Sequence, residues 1–469
     1  MSRLTQVKKL RTAEEFTSHV DGLGLDLPLL PETAAASVLA ASTAVADGPR
    51  RIEVPNRFAV LPMEGWDGTT DGRPSELTTR RWDRFGSSGA GLVWGEATAV
   101  VPDGRANPNQ LVLDADTVDD IAALRARLDP SQISVLQLTH SGRYCRPGPD
   151  GLAPRTAYAH PLLDARAGAD ETSVMSDDEL DELSAIYVDR ARLAHEAGFD
   201  FVDVKACHGY LGHELLSAVD RDGRYGGSYD GRTRFLTSTI AAIRSELPEL
   251  GVAVRVSLFD FAPHSPGPDG RGVCDVEGGY DYAFGGDGTG SGIDLTETHR
   301  LIGDLADLGV GLLSATAGSP YYVPHIQRPA YFPPSDGYLP PEDPLIGVAR
   351  LASATAEIAT RHPTVRIVGG GLSYLQQWFA AVGAGLVDAG AMDFVGLGRM
   401  VLSYPHLPAD VLAGRELTDR LICRTFSDCT TAPRGGMVSG CYPLDEFYKA
   451  REERVQLAAY KKETRIRRG

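Results

Sequence analysis

The chain has 469 residues, 42% hydrophobic and 23% charged, with a formal net charge of −17. That composition supports a packed core and excludes wholesale disorder, while the acidic balance excludes a nucleic-acid partner, whose phosphates need a basic face. Six cysteines are too few for a disulfide scaffold; no apolar run approaches the ~20 residues of a membrane helix, and "MSRLTQVKKLRTAEEF" lacks a signal-peptide core, so a soluble, cytoplasmic protein with no membrane partner is expected.

From residue 56, short apolar runs alternate with amphipathic stretches. The runs are 57–62, 91–100, 133–138, 201–205, 252–258, 309–315, 365–370 and 392–398. Helical stretches lie between them at 176–198, 233–247 and 373–385. The first of these opens with a capping box, Ser176 with Glu179, and closes at Gly198. Alternating strands and helices predict βαβ units and a parallel sheet, and eight units predict a (β/α)8 TIM barrel. Residues 1–55 form an N-terminal extension, 56–445 the barrel and 446–469 a C-terminal helix or tail. Two insertions, about 260–295 and 316–344, follow the fifth and sixth strands, where long loops build or cover an active site.

Polar residues and glycines collect at the C-terminal ends of these strands, the rim where barrel enzymes keep their chemistry. They are Pro62-Met63-Glu64, Glu96-Ala97, Gln137 with His140, Lys205 with His208 and Tyr210, Arg255, Gly369-Gly370-Gly371 and Gly398-Arg399. Glycine-rich turns let backbone N–H groups approach an anion, a following helix N-terminus adds its dipole, and Arg399 can clamp a phosphate. Glycines also serve plain tight turns; two such turns on adjacent strands, with an arginine, favour phosphate.

Five stretches resemble the old yellow enzyme family of FMN-dependent oxidoreductases: "PNRFAVLPM" (55–63), "QLTHSGR" (137–143), "CHGYLGHELLSAVDRDGRYGGSYDGRTRFL" (207–236), "VAVRVS" (252–257) and the glycine-rich run 368–408. The resemblance implies FMN at the barrel mouth, with Pro62, Met63 and Ala97 lining it and Gln137 bonded to its pyrimidine. It places Arg255 at the N1–C2=O edge, and Gly370, Gly371, Gly398 and Arg399 at the phosphate. It implies hydride transfer from NAD(P)H through flavin N5 to an electron-poor C=C bond. Lys205 and His208 would polarise the activating group and Tyr210 would donate the proton, as positioned donors and a phenol can. Read alone, a histidine or tyrosine is more often structural, and Lys205 reads equally as an ion-paired lysine. The substrate would be a small molecule, using the same pocket as the nicotinamide in alternation; a homo-oligomer is left open.

Two residues depart from the family's pattern. Glu64 replaces a threonine or cysteine and Lys205 replaces a histidine, which suggests that their charges compensate at the pocket edge. His140 is a further substrate-site candidate. Tyr321, Tyr322 and His325 would form a substrate wall, or pack the second insertion down.

Near the C-terminus, Cys423, Cys429 and Cys441 fit three positions of the iron–sulfur motif found in the dienoyl-CoA reductase / trimethylamine dehydrogenase branch, and Phe426 takes the fourth. A cubane cluster wants four thiolates. The resemblance is therefore to that branch without an iron–sulfur cluster or other metal, and without the branch's C-terminal domains. Three other readings remain: a flavin dehydrogenase or amine demethylase; a barrel hydrolase using Glu64 with Glu96; and a ligand-binding barrel without redox chemistry.

Overall fold

The computed structural model describes residues 4–466; Met1–Arg3 and Arg467–Gly469, parts of the expected extension and tail, lie outside the described residues. Eight parallel strands close a barrel. They are β1 (Phe58–Val60), β2 (Leu92–Ala99), β3 (Ile133–Thr139), β4 (Phe201–Val204), β5 (Gly251–Ser257), β6 (Leu312–Thr316), β7 (Arg366–Gly369) and β8 (Phe394–Leu397). Each falls within or overlaps one of the apolar runs. Neighbours pair in chain order, and β8 closes on β1 with Val395 opposite Phe58.

The interior is filled by side chains from all around the barrel, among them Leu61, Trp94, Val135, Phe201, Leu312 and Phe394. Val45 and Val54 join this cluster from an antiparallel hairpin, Thr43–Asp47 with Arg50–Val54. Part of the N-terminal extension thus plugs one end of the barrel. A second apolar layer lies between the strands and the helices. Among these, Asp177–Glu196 is capped as expected, with Ser176 accepting from the Glu179 N–H.

The stretch after β7 differs from expectation. A 3-10 segment, Leu372–Trp378, kinked at Gln376 with φ 55°, precedes the α-helix Phe379–Asp388. After β8 the helix Arg399–Ser403 is one short turn. Neither turn offers the strong helix dipole that the glycine pattern suggested.

The two insertions brace one another over the rim. The first carries a hairpin, His264–Pro266 with Gly272–Cys274, and the Gly272 N–H donates to Leu339 O in the second at 2.9 Å. The second insertion is fastened to the cysteine-bearing segment, where the Ser335 N–H donates to Thr431 Oγ1 at 3.2 Å.

Candidate active site

The C-terminal ends of the strands surround a cavity of about 260 Å³. Pro62, Met63 and Glu64 follow β1, Ala97 lies on β2, Gln137 on β3 and Arg255 on β5; Lys205, His208 and Tyr210 follow β4. Gly371 and Ser373 follow β7, and Gly398 and Arg399 follow β8. The register of β2 slips between Trp94 and Ala97. Such a bulge re-aims side chains: Ala97 faces the cavity, while Glu96 Oε1 accepts from Arg81 Nη2 at 2.7 Å and Trp82 Nε1 at 2.9 Å outside it. Glu64 and Glu96 therefore do not form a carboxylate pair across the cavity.

Gln137 and Arg255 are set by one buried acid, Asp203 on β4. Its carboxylate accepts from Gln137 Nε2 at 2.6 Å, Trp94 Nε1 at 2.8 Å and the Arg255 backbone N–H at 2.7 Å. Burial lifts its pKa to about 6 against these bonds. Burial lowers the Arg255 pKa, opposed by Cys207 and Asp203. Arg255 Nε has no hydrogen-bond partner. Arg399 Nη2 donates to Pro329 O at 2.7 Å, and its Nη1 is likewise unpartnered. Buried donors without acceptors are costly. Unpaired guanidinium atoms lining one cavity therefore fit an anionic, hydrogen-bond-accepting ligand such as FMN, with its phosphate and its pyrimidine edge. Gly370 does not line this cradle: a Cβ there would stand 2.6 Å from the Ala315 carbonyl oxygen, so glycine serves strand packing.

At the other end, Lys205 Nζ lies 3.6 Å from the Tyr210 ring centroid, a cation–π contact. The Tyr210 and Tyr321 hydroxyls are 3.0 Å apart, and the Tyr321 ring stacks on Tyr144 at 3.8 Å. Burial holds the Tyr210 phenol well above its ordinary value, so it keeps its proton. His208 sits at φ 67°, a conformation uncommon outside glycine, and strain of this kind collects at functional sites. Its Nε2 meets Thr316 Oγ1 at 3.1 Å and Gln327 Nε2 at 3.3 Å, and burial keeps the ring neutral.

Glu64 accepts a hydrogen bond from Asn107 Nδ2 and makes no direct ion pair with Lys205 among the described residues. The two still influence each other. Burial pushes the Glu64 carboxyl up and the Lys205 ammonium down, and each charge offsets part of the other's shift. Compensation therefore acts across space rather than by contact.

Three expected substrate residues lie outside the cavity wall. His140 is buried, with Nδ1 accepting from the Gly142 N–H at 3.2 Å. Tyr322 donates to Asp260. His325 Nδ1 accepts from the Tyr338 hydroxyl at 2.8 Å. Tyr321 alone of the aromatic wall reaches the cavity. Thr316, Gln327, Arg328, Cys429, Thr430 and Arg434 also line it, and no local sequence pattern marks them.

Cys423, Cys429 and Cys441 share the wall of a second small cavity with Phe426, and burial raises all three thiol pKa values. Phe426 stacks on Phe332 at 5.5 Å.

A parallel barrel that gathers unpaired arginines, a phenol and a buried lysine at its C-terminal rim has the layout of a (β/α)8 barrel enzyme. Residues 50–267 match the pattern of the NADH:flavin oxidoreductase / NADH oxidase family. An NADPH dehydrogenase of Bacillus velezensis is 32% identical over 216 residues, 45% of this chain and 62% of that protein. The chain thus spans under two thirds of the length of such curated relatives. A 2-naphthoyl-CoA reductase complex superposes with a TM-score of 0.64 at 16% identity, over 87% of this chain and 56% of that one. An old yellow enzyme homologue from Zymomonas mobilis gives 0.54 at 20% identity, over 80% and 93%. At those identities the two structures speak to the fold alone.

Proposed function

We propose that this chain is an FMN-dependent oxidoreductase that takes hydride from NAD(P)H and reduces an electron-poor C=C bond of a small molecule. One observation carries the reading: Arg255 and Arg399, each with an unpartnered guanidinium nitrogen, line the same cavity as Tyr210, His208 and Lys205. Bound there, FMN would supply the hydride-carrying chemistry that no side chain of the cavity offers.

Arg399, with the Gly371 and Gly398 backbone, would hold the phosphate. Gln137 and Arg255 would hold the pyrimidine edge, where a fixed cation stabilises negative charge. Lys205 is a donor for the oxygen of an activating carbonyl, and neutral His208 a second once its Nε2 contacts open. Tyr210 holds a proton on its hydroxyl for the α-carbon.

The purified protein should be yellow and release FMN on denaturation. Anaerobic NADH or NADPH should bleach it, and an enone should restore the colour. Bleaching of the oxidised protein by an amine in the absence of nicotinamide, with no reoxidation by enones, would point to amine oxidation instead. A colourless protein that takes up no added FMN would overturn the reading. Among the described residues no helix is long and apolar enough to cross a membrane.

A further inference from the structure

Five cations line the cavity, Lys205, Arg255, Arg328, Arg399 and Arg434, against one carboxylate, Glu64. Four have an assigned partner or ligand. Glu64 balances Lys205, Arg434 pairs with Asp336 at 2.7 Å, and Arg255 and Arg399 face the two polar ends proposed for FMN. Arg328 is left over. It has no ion-pair partner among the described residues, and the charges that act on it most strongly are those of Arg434 and Arg399, both repulsive. Its Nη1 donates to Thr430 Oγ1 at 2.8 Å, while Nε and Nη2 are buried and unpartnered. Those two atoms form the side-on fork of a guanidinium, which matches the two oxygens of a carboxylate. An uncompensated buried cation is costly to keep. The fork also lies within electrostatic reach of His208 and Tyr321, at the Tyr210 end of the cavity.

We infer that Arg328, supported by Arg434 and Thr430, is a receptor for a carboxylate carried by the substrate, so that the preferred alkene is an acidic one. This rests on the function proposed above. The receptor arginine comes from the insertion after β6 and its supports from the segment after β8, so substrate charge is read by the roof and not by the barrel.

The test uses the full-length protein and two probes that share one carbon skeleton, β-acetylacrylate and its methyl ester, with binding read by calorimetry and flavin per chain by absorbance. Wild type should bind the acid about tenfold or more tightly than the ester. Arg328→Gln should erase that preference and keep its flavin, and Arg328→Lys should restore part of it. Arg434→Gln, a milder change, should weaken the preference if Arg328→Gln does not fold. Equal binding of acid and ester by wild type would overturn the inference. So would loss of flavin by Arg328→Gln with the preference intact, since Arg328 would then serve the cofactor phosphate. A wild-type protein without flavin would instead sink the functional proposal, and the calorimetric preference would still decide this one.

Discussion

Asp203 accepts a hydrogen bond from Gln137 at 2.6 Å, and this bond decides which end of the Gln137 amide a ligand can meet. With Nε2 committed to the acid, Oε1 is the acceptor left for a ring N–H. The same acid also ties down the Arg255 backbone and the Trp94 indole.

Asp203→Ala would leave three buried donors without an acceptor, each worth about 1–3 kcal/mol. The variant should lose several kcal/mol in urea denaturation. Asp203→Asn should keep most of the stability, lose orientation of Gln137, and bind FMN about tenfold more weakly in a fluorescence titration. A loss below about 1 kcal/mol for the alanine variant would contradict this account.

Glu64 sets a pH dependence of stability. Burial lifts its pKa from 4.5 to about 7, with Lys205 and Asn107 pulling the other way. A raised acid holds its proton more tightly in the folded state. Its contribution is therefore complete below the unfolded pKa and lost as pH rises through about 7. Between those limits the melting temperature of the wild type should fall relative to Glu64→Gln, by at most about 3 kcal/mol in free energy. Parallel curves for the two proteins would show that the carboxyl does not titrate there.

Arg255 should tune the cofactor's potential. Replacing it with glutamine removes a cation from where reduction deposits charge, and should lower the midpoint potential by about 30–60 mV, roughly 1.4–2.8 kcal/mol for two electrons. Spectroelectrochemical titration reads the shift directly.

Tyr210→Phe removes the hydroxyl proposed to give the proton. Reoxidation of the reduced protein by an enone should slow by about a hundredfold or more in stopped flow. Tyr321→Phe, which deletes only the hydroxyl 3.0 Å behind it, should slow the same step by less than about tenfold. Equal losses would move the donor role to Tyr321.

The strands were legible because barrel strands buried on both faces read as unbroken apolar runs, and β2 is buried along its whole length. The glycines after β7 were harder to read. Gly371 needs its positive φ, whereas Gly370 is glycine only because the Ala315 carbonyl is close, and the two look alike in sequence. The roof was least legible. Arg328 meets Thr430, and Arg434 meets Pro320 and Asp336, across about a hundred residues of chain, and no local pattern marks such pairs. His140 and His325 lie outside the cavity wall for the converse reason: a histidine near the rim satisfies itself locally as readily as it faces a ligand.

The pairing of Phe58 with Val395 has a consequence for biosynthesis. The first strand of the barrel finds its second neighbour only in the last, so during translation β1 waits with one edge open while nearly the whole chain is made. Loop closure over such a separation is slow, and an unpaired edge invites association with other chains. Until the ribosome has released residues 394–397, the nascent protein is an open sheet. Aggregation in expression should therefore depend more on how that waiting edge is shielded than on the stability of the finished barrel.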